Sequence, residues 1–291
     1  MSLLIFIITK DNLLILSPPK IFLMRSEIMI NNFLFLDVLL LLNLIIIFMK
    51  HKLLIFIITY KASFRILEVF KKLPFSYLKQ YNYSIYVSDD ASNDNTIQYV
   101  KQLRKKYKKN LVINENRLNL GYGGNIKKCV RYAYKNNFNY AVMIHGDNQY
   151  NPKYMKRMFD ILIKNKNYSA VTGSRMLKKK DALKGNMPIY KFLGNIILTK
   201  IFNLFYKTNF SDCHTGYWAY NLNKIELSLF NDADNGFCFD IDMRLLLTQN
   251  NLKIKEIPIK TFYGNERSSV HIIYAIRFFL KTIKFKLFGK V

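Results

Sequence analysis

Tyr140-Ala141-Val142-Met143-Ile144-His145-Gly146-Asp147-Asn148-Gln149-Tyr150-Asn151-Pro152 is the stretch whose reading decides the fold. Its first five residues form an unbroken apolar run, the pattern of a strand buried on both faces. An Asp, a Gln and an Asn-Pro follow at once, so a strand ends in oxygen ligands where a helix begins. Few carboxylates beside open positions suit a hard cation, magnesium or manganese, that takes its other ligands from a phosphate. The competing reading of the same residues is a plain polar turn, and the flanking chain has to decide.

Moving outward, apolar runs and amphipathic stretches alternate. Strands are expected at 53–59, 84–88, 111–114, 140–144 and 169–172. Helices are expected at 63–72, 95–108, 122–136 and 152–164. This alternation predicts an α/β fold with a mostly parallel sheet flanked by helices on both faces. Ligands of such sheets bind beyond the carboxyl ends of the strands. Polar clusters fall there: Ser88-Asp89-Asp90, Asn114-Glu115-Asn116, His145-Gly146-Asp147 and Gly173-Ser174-Arg175. Their coincidence with strand ends favours a site over four unrelated turns.

The chain has 291 residues, 51% of them hydrophobic, enough for one large domain with appendages. Its 45 Lys and Arg against 19 Asp and Glu give a formal net charge of +26. Such a surface suits anionic partners, although a codon bias towards Lys, Asn, Ile and Phe also adds lysines. Cys129, Cys213 and Cys238 are widely spaced and odd in number, which supports neither a disulfide frame nor structural zinc and fits a reducing compartment.

Residues 1–50 read as an N-terminal apolar extension and a candidate membrane anchor. The run 33–49 is apolar apart from Asp37 and Asn43, and Lys50 and Lys52 follow it. That length is short for a span, and the basic flank would keep its side cytoplasmic. A cleaved signal peptide is not expected, because no small-residue cleavage site follows. Leu3–Thr9 recurs as Leu53–Thr59, but only the second copy leads into the α/β pattern. Residues 188–206 read as an amphipathic aromatic helix, expected to be an ordinary packing element. Residues 270–291 read as a basic amphipathic helix that either lies on an anionic membrane or docks on the domain.

Adjacent carboxylates at Asp89 and Asp90 repel unless a cation, a base N–H or a ribose hydroxyl uses them. Ser92 or Asp94 can cap the following helix. Asn119-Leu120-Gly121-Tyr122-Gly123-Gly124 opens another helix with glycines that allow close backbone approach, without the Lys-Ser/Thr of a P-loop.

In order and spacing, these segments resemble the family 2 glycosyltransferases of GT-A (Rossmann-like) fold, in particular the dolichyl-phosphate mannose synthase-like branch, from about residue 53 to 269. The family's DDxSxDxT appears as Asp89, Asp90, Ser92, Asp94 and Thr96; its DxDxQxxP as His145 to Pro152; and its Gly-Ser-Arg as residues 173–175. Later matches are Asp212-Cys213-His214-Thr215-Gly216, the acidic helix start Phe239-Asp240-Ile241-Asp242, and Arg267-Ser268-Ser269.

The resemblance implies an inverting, metal-dependent transferase with Mg2+ or Mn2+. It would move a hexose from a GDP-mannose or UDP-glucose type donor to a membrane-linked acceptor, such as a polyprenyl phosphate or a glycan. Tyr60, Asp89, Asp90, Gly121, Gly123, Asp147 and Arg175 would hold the donor. Asp147, with Gln149 and His145, would hold the metal. Asp212, Asp240 and Asp242 are the implied catalytic acids, and Arg175, Arg267 and Ser268 would meet the acceptor. The expected setting is a membrane surface with the site on the cytoplasmic side; nucleic acid is not an expected partner. Two departures stand out: His145 replaces the first Asp of DxD, and Thr59-Tyr60-Lys61 replaces the usual Tyr-Asn-Glu. They motivate a second reading, a catalytically weak relative that binds nucleotide or nucleic acid.

Overall fold

The structure, a computed structural model, describes residues 5–9, 12–16, 51–107, 109–263 and 272–288. Residues 1–50 and 51–291 form two compact units. In the first, β1 (Ile5–Thr9) pairs antiparallel with β2 (Asn12–Leu16). The run 33–49 lies outside the described residues, so the expected anchor does too. No described helix is long and apolar enough to cross a membrane.

The second unit is built on β3 (Lys52–Thr59), β4 (Asn82–Asp89), β5 (Leu111–Glu115), β6 (Tyr140–His145), β7 (Tyr168–Ser174), β8 (Trp218–Asn221) and β9 (Lys253–Pro258). These form one sheet in the order β5-β4-β3-β6-β8-β7-β9. Only β8 runs antiparallel to its neighbours, and β7 and β9 pair parallel. The mostly parallel sheet is as the sequence predicts. What it could not show is β8, whose four residues carry no length or periodicity signal of their own and enter the sheet through burial of all four.

The helices of this unit are α1 (Arg65–Lys71), α2 (Phe75–Leu78), α3 (Thr96–Lys106), α4 (Tyr122–Lys135), α5 (Met155–Lys164), α6 (Lys179–Lys184), α7 (Ile189–Tyr206), α8 (Leu227–Asp232), α9 (Phe239–Gln249) and α10 (Ile272–Phe288). They explain why β3 is a continuous apolar run. Leu53, Ile55 and Ile57 pack with Ile66, Val69 and Phe70 of α1 and Met158, Phe159 and Leu162 of α5. Leu54, Phe56 and Ile58 face the other way, onto Ile126, Cys129 and Val130 of α4 and Ile241 and Leu245 of α9. Burial of each such side chain contributes about 2 kcal/mol, so both faces of the strand stabilise the layers.

Helix α7 is the element that departs most from expectation. It buries Asn195, Thr199 and Phe202 and leaves Ile189, Leu193, Ile197 and Leu204 exposed, the last at 78%. The reason is polar: Asn195 Nδ2 donates to Asp212, Thr199 Oγ1 donates to Asn195, and Cys213 N donates to Thr199. The inward face serves a hydrogen-bonded network, so the apolar stripe turns outward. Against α7 lies α10, with Phe285 buried and Tyr206 Oη donating to the Thr282 carbonyl. The far side of α10 exposes Ile276, Leu280, Leu287 and Phe288. It therefore docks on the domain and still offers an apolar face to solvent.

Candidate active site

A cavity of about 1190 Å³ opens over the carboxyl ends of β3, β4 and β6. The sheet order sorts its lining. Residues after β3 and β4, namely Tyr60 and Asp90 with Asn119 and Gly121, lie to one side of β6. His145, Gly146, Asp147 and Gln149 come from the end of β6 itself. Arg175 after β7, and Tyr190 and Lys191 of α7, lie to the other side. Thus Tyr60, Asp90, Gly121, His145, Asp147, Gln149, Arg175 and Asp240 of the expected set share one cavity.

The paired acids at the end of β4 divide their work. Asp89 is fully buried and accepts from Thr59 Oγ1 at 2.9 Å, Ser92 N at 2.8 Å and Ser92 Oγ at 2.7 Å. It braces the loop from within and is absent from the cavity lining, which corrects its expected place on the donor. Asp90 turns outward. Its Oδ1 accepts from Asn116 Nδ2 and Leu120 N, and its Oδ2 has no partner among the described residues. A positioned carboxylate oxygen of this kind accepts hydroxyl or base N–H hydrogens.

The glycines separate in the same way. Gly121 lines the cavity at φ 78°, left-handed backbone that favours glycine, and a Cβ there would meet Asn235 O at 2.8 Å. A Cβ on Gly123 would collide with the Asp234 carbonyl oxygen. Gly123 is therefore a packing residue between α4 and that loop, not a donor contact.

His145 ends β6 with Nε2 3.0 Å from the Gly216 carbonyl and 3.3 Å from Tyr122 Oη. A carbonyl only accepts, so Nε2 carries the proton. Burial lowers the ring's pKa, with Asp147 opposing, so the ring is neutral and Nδ1 keeps its lone pair. Asp147 Oδ1 accepts from Gln149 N at 2.9 Å, which leaves Oδ2 without a partner among the described residues. No described group of three or more His, Cys, Asp and Glu side chains could hold a metal alone. One imidazole nitrogen and one carboxylate oxygen fit a divalent cation that completes its shell from a diphosphate and water.

Tyr122, which sequence reasoning passed over among the glycines, donates to Asp240 Oδ2 at 2.9 Å. Asp240 Oδ1 is buried with no partner among the described residues. Burial pushes Asp240 up to about 7, against the pull of the Tyr122 hydrogen bond. A carboxyl that titrates near neutrality inside a cavity is suited to accept a proton.

The other two expected catalytic acids are elsewhere. Asp212 is fully buried and chelates Arg175: Nε to Oδ2 is 2.7 Å and Nη2 to Oδ1 is 2.8 Å. Burial pushes its carboxyl up, but Arg175 outweighs it and holds the group far below the usual carboxylate range. An anion so committed does not take a proton from an acceptor, so Asp212 is a brace rather than a base. Arg175 still lines the cavity and donates through Nη1 to Tyr263 Oη at 3.1 Å, but its charge is largely matched by Asp212. Asp242 is fully buried and paired with Lys281 of α10 at 2.7 Å. Burial raises it to about 6, against Lys281. It anchors α10 and does not line the cavity. Arg267 and Ser268 lie outside the described residues.

Lys72, Lys191 and Tyr263 also line the cavity without having been expected. Lys191 sits in a stretch read only for amphipathicity, where one lysine among aromatics gives no sign of the direction it faces.

Residues 54–227 match the glycosyl transferase family 2 sequence model. An uncharacterised protein of Methanocaldococcus jannaschii is 27% identical over 214 residues, 72% of this chain and 84% of that one. The UDP-N-acetylglucosamine–dolichyl-phosphate N-acetylglucosaminyltransferase of Methanococcus voltae is 26% identical over 228 residues, 74% of this chain and 89% of that one. Among solved structures, glucosyl-3-phosphoglycerate synthase of Mycobacterium tuberculosis with Mg2+ and UDP aligns at TM-score 0.56 and 12% identity, covering 83% of this chain and 80% of that one. Its complex with Mn2+, UDP and glucosyl-3-phosphoglycerate aligns at TM-score 0.54 and 11% identity, covering 83% and 81%. This likeness shows the shared GT-A fold.

Proposed function

Since the chain belongs to glycosyl transferase family 2 and is a glycosyltransferase, we propose that it moves a hexose or N-acetylhexosamine, with inversion, from a nucleotide diphosphate donor to a lipid-borne phosphate. The observation that carries this reading is the division of one cavity. Asp90 and Asp147 supply free carboxylate oxygens on the strand-end side, and Tyr190, Phe262 and Phe278 supply an apolar wall on the other. A donor needs the first and a lipid acceptor the second. The named methanogen relative acts, by its name, on a UDP-sugar and dolichyl phosphate, which makes uridine donors the first to test ahead of GDP-mannose.

In the reaction the acceptor oxygen attacks the anomeric carbon, that carbon's bond to the diphosphate breaks, and nucleoside diphosphate leaves. Asp147 and His145 would hold a divalent cation, which when bound neutralises charge on the leaving diphosphate. Asp90 orients the nucleoside. The hydrogen-bonded chain His145–Tyr122–Asp240 fixes the floor between the metal corner and the acceptor. A phosphate acceptor is already anionic, so positioning dominates.

A second reading rests on Asp240. Its titration near 7 would also serve deprotonation of a hydroxyl acceptor.

Thermal shift with UDP- and GDP-sugars, with and without manganese, tests the donor. A manganese-dependent rise in Tm with at least one sugar nucleotide is expected in wild type, because a ligand that binds only the folded state stabilises it. The rise should vanish in Asp147→Ala. Absence of any shift and of any turnover across the panel would sink the reading.

A further inference from the structure

Of the three Lys and Arg side chains that line the cavity among the described residues, Lys72, Arg175 and Lys191, two have a hydrogen-bond partner in the protein. Lys72 Nζ bonds Asn148 Oδ1 at 2.9 Å, and Arg175 is chelated by Asp212. Lys191, in the first turn of α7, has no hydrogen bond or ion pair among the described residues. Its ammonium lies 5.7 Å from the centroid of the Tyr263 ring, and the hydroxyl of that tyrosine accepts from Arg175 Nη1. Two cations thus converge on one tyrosine from different elements, and Asp212 is spent on only one of them. Lys191 is half-buried, and burial together with Arg175 lowers its pKa. A cation held partly out of water with no acidic partner, beside an arginine whose charge Asp212 already offsets, is unfavourable, and an anion bound next to Lys191 relieves it.

The surroundings define the anion further. Met187, Tyr190, Leu198 and Phe278 line the cavity near this corner of α7 and α10, and Ile189 and Leu193 carry the apolar surface out to solvent. A small hydrophilic anion would leave that wall in water. A phosphate on an isoprenoid or acyl chain would cover it. We propose that Lys191, with Arg175 and the Tyr263 hydroxyl, forms the seat for the acceptor's phosphate, and that the apolar wall of α7 takes the first units of its chain. Lys191 is then the residue that selects a phosphate acceptor over a neutral alcohol. The identity of this anion as the acceptor rests on the reading above; the seat itself does not.

Titration calorimetry with geranyl phosphate, geraniol and inorganic phosphate tests the seat apart from turnover. Wild type should bind geranyl phosphate at least tenfold more tightly than either other probe. Lys191→Met, which keeps the aliphatic stem, should weaken geranyl phosphate at least tenfold. Lys191→Arg should stay within about threefold of wild type. Both variants should retain the wild-type far-UV spectrum and bind the best nucleotide with manganese within about twofold. Equal geranyl phosphate affinity in wild type and Lys191→Met would overturn the seat, as would geraniol binding as tightly as its phosphate. Inorganic phosphate binding as tightly as geranyl phosphate would overturn the lipid part. The two readings fail separately. Lys191-dependent geranyl phosphate binding without any nucleotide binding leaves the seat and removes the donor reading. Nucleotide binding without geranyl phosphate binding does the reverse.

Discussion

At the residue scale, the cavity separates acids that its motifs leave alike. Asp212 and Asp240 both occupy positions where the family resemblance implies catalysis, yet one is locked on Arg175 and the other titrates near neutrality. The distinction predicts opposite phenotypes. Asp212→Ala strands a buried guanidinium and should destabilise the fold by about 3 kcal/mol or more. Asp240→Asn should leave Tm close to wild type and lower kcat instead. If Asp240 accepts a proton, the reactive form is the carboxylate, so the rate rises with pH through about 7, and Asp240→Asn removes that limb. Denaturant melts and pH–rate profiles of the two variants check this. A stable, inactive Asp212→Ala would return the base to Asp212. His145 belongs to this scale as well. With Nε2 committed to Gly216, only Nδ1 is left for a ligand, so a cation held at this corner would meet a neutral donor where the metal motif has a carboxylate.

At the element scale, α10 is tied to the domain by an ion pair with one buried partner, besides buried Phe285 and the Tyr206 hydrogen bond. Lys281 reaches Asp242 at 2.7 Å and Asp234 at 3.6 Å, and only the Asp242 partner is fully buried. Removing Lys281 leaves the Asp242 carboxylate buried and unmatched. Lys281→Ala should therefore cost about 3 kcal/mol, a fall in Tm of roughly 6 °C or more. Adding Asp242→Asn to Lys281→Ala should recover part of it, because the unpaired charge is gone. Calorimetry on the single and double variants measures the coupling; strict additivity would show that the pair does not hold the helix. The inverted face of α7 has a similar cause. Its polar residues are drawn in by Asp212, so the stripe Ile189, Leu193 and Ile197 is left outside.

At the scale of the molecule, the exposed stripes of α7 and α10 gain meaning from charge. Neither helix contains an Asp or Glu, and between them they carry Lys191, Lys200, Arg277, Lys281, Lys284 and Lys286. An acid-free, apolar face on a chain of net +26 suits an anionic bilayer. Sedimentation with vesicles should show binding that increases with anionic lipid and weakens with salt. Leu193→Glu combined with Ile197→Glu should reduce it at least tenfold; unchanged binding would move the membrane contact to another part of the chain. The parallel sheet, the strand-end site and the family were legible in the sequence, because buried strands, helix periods and the order of Asp89-Asp90, His145-Gly146-Asp147 and Gly173-Ser174-Arg175 are local patterns. Local patterns do not say which way a carboxylate turns. Whether Asp89 or Asp90 faces the cavity, whether Asp212 is base or brace, and where Lys191 points depend on partners such as Thr59, Asn116, Arg175 and Tyr263 that lie far away in sequence. Only the packed sheet brings those partners together, and their hydrogen bonds and charges set which atoms remain free for chemistry.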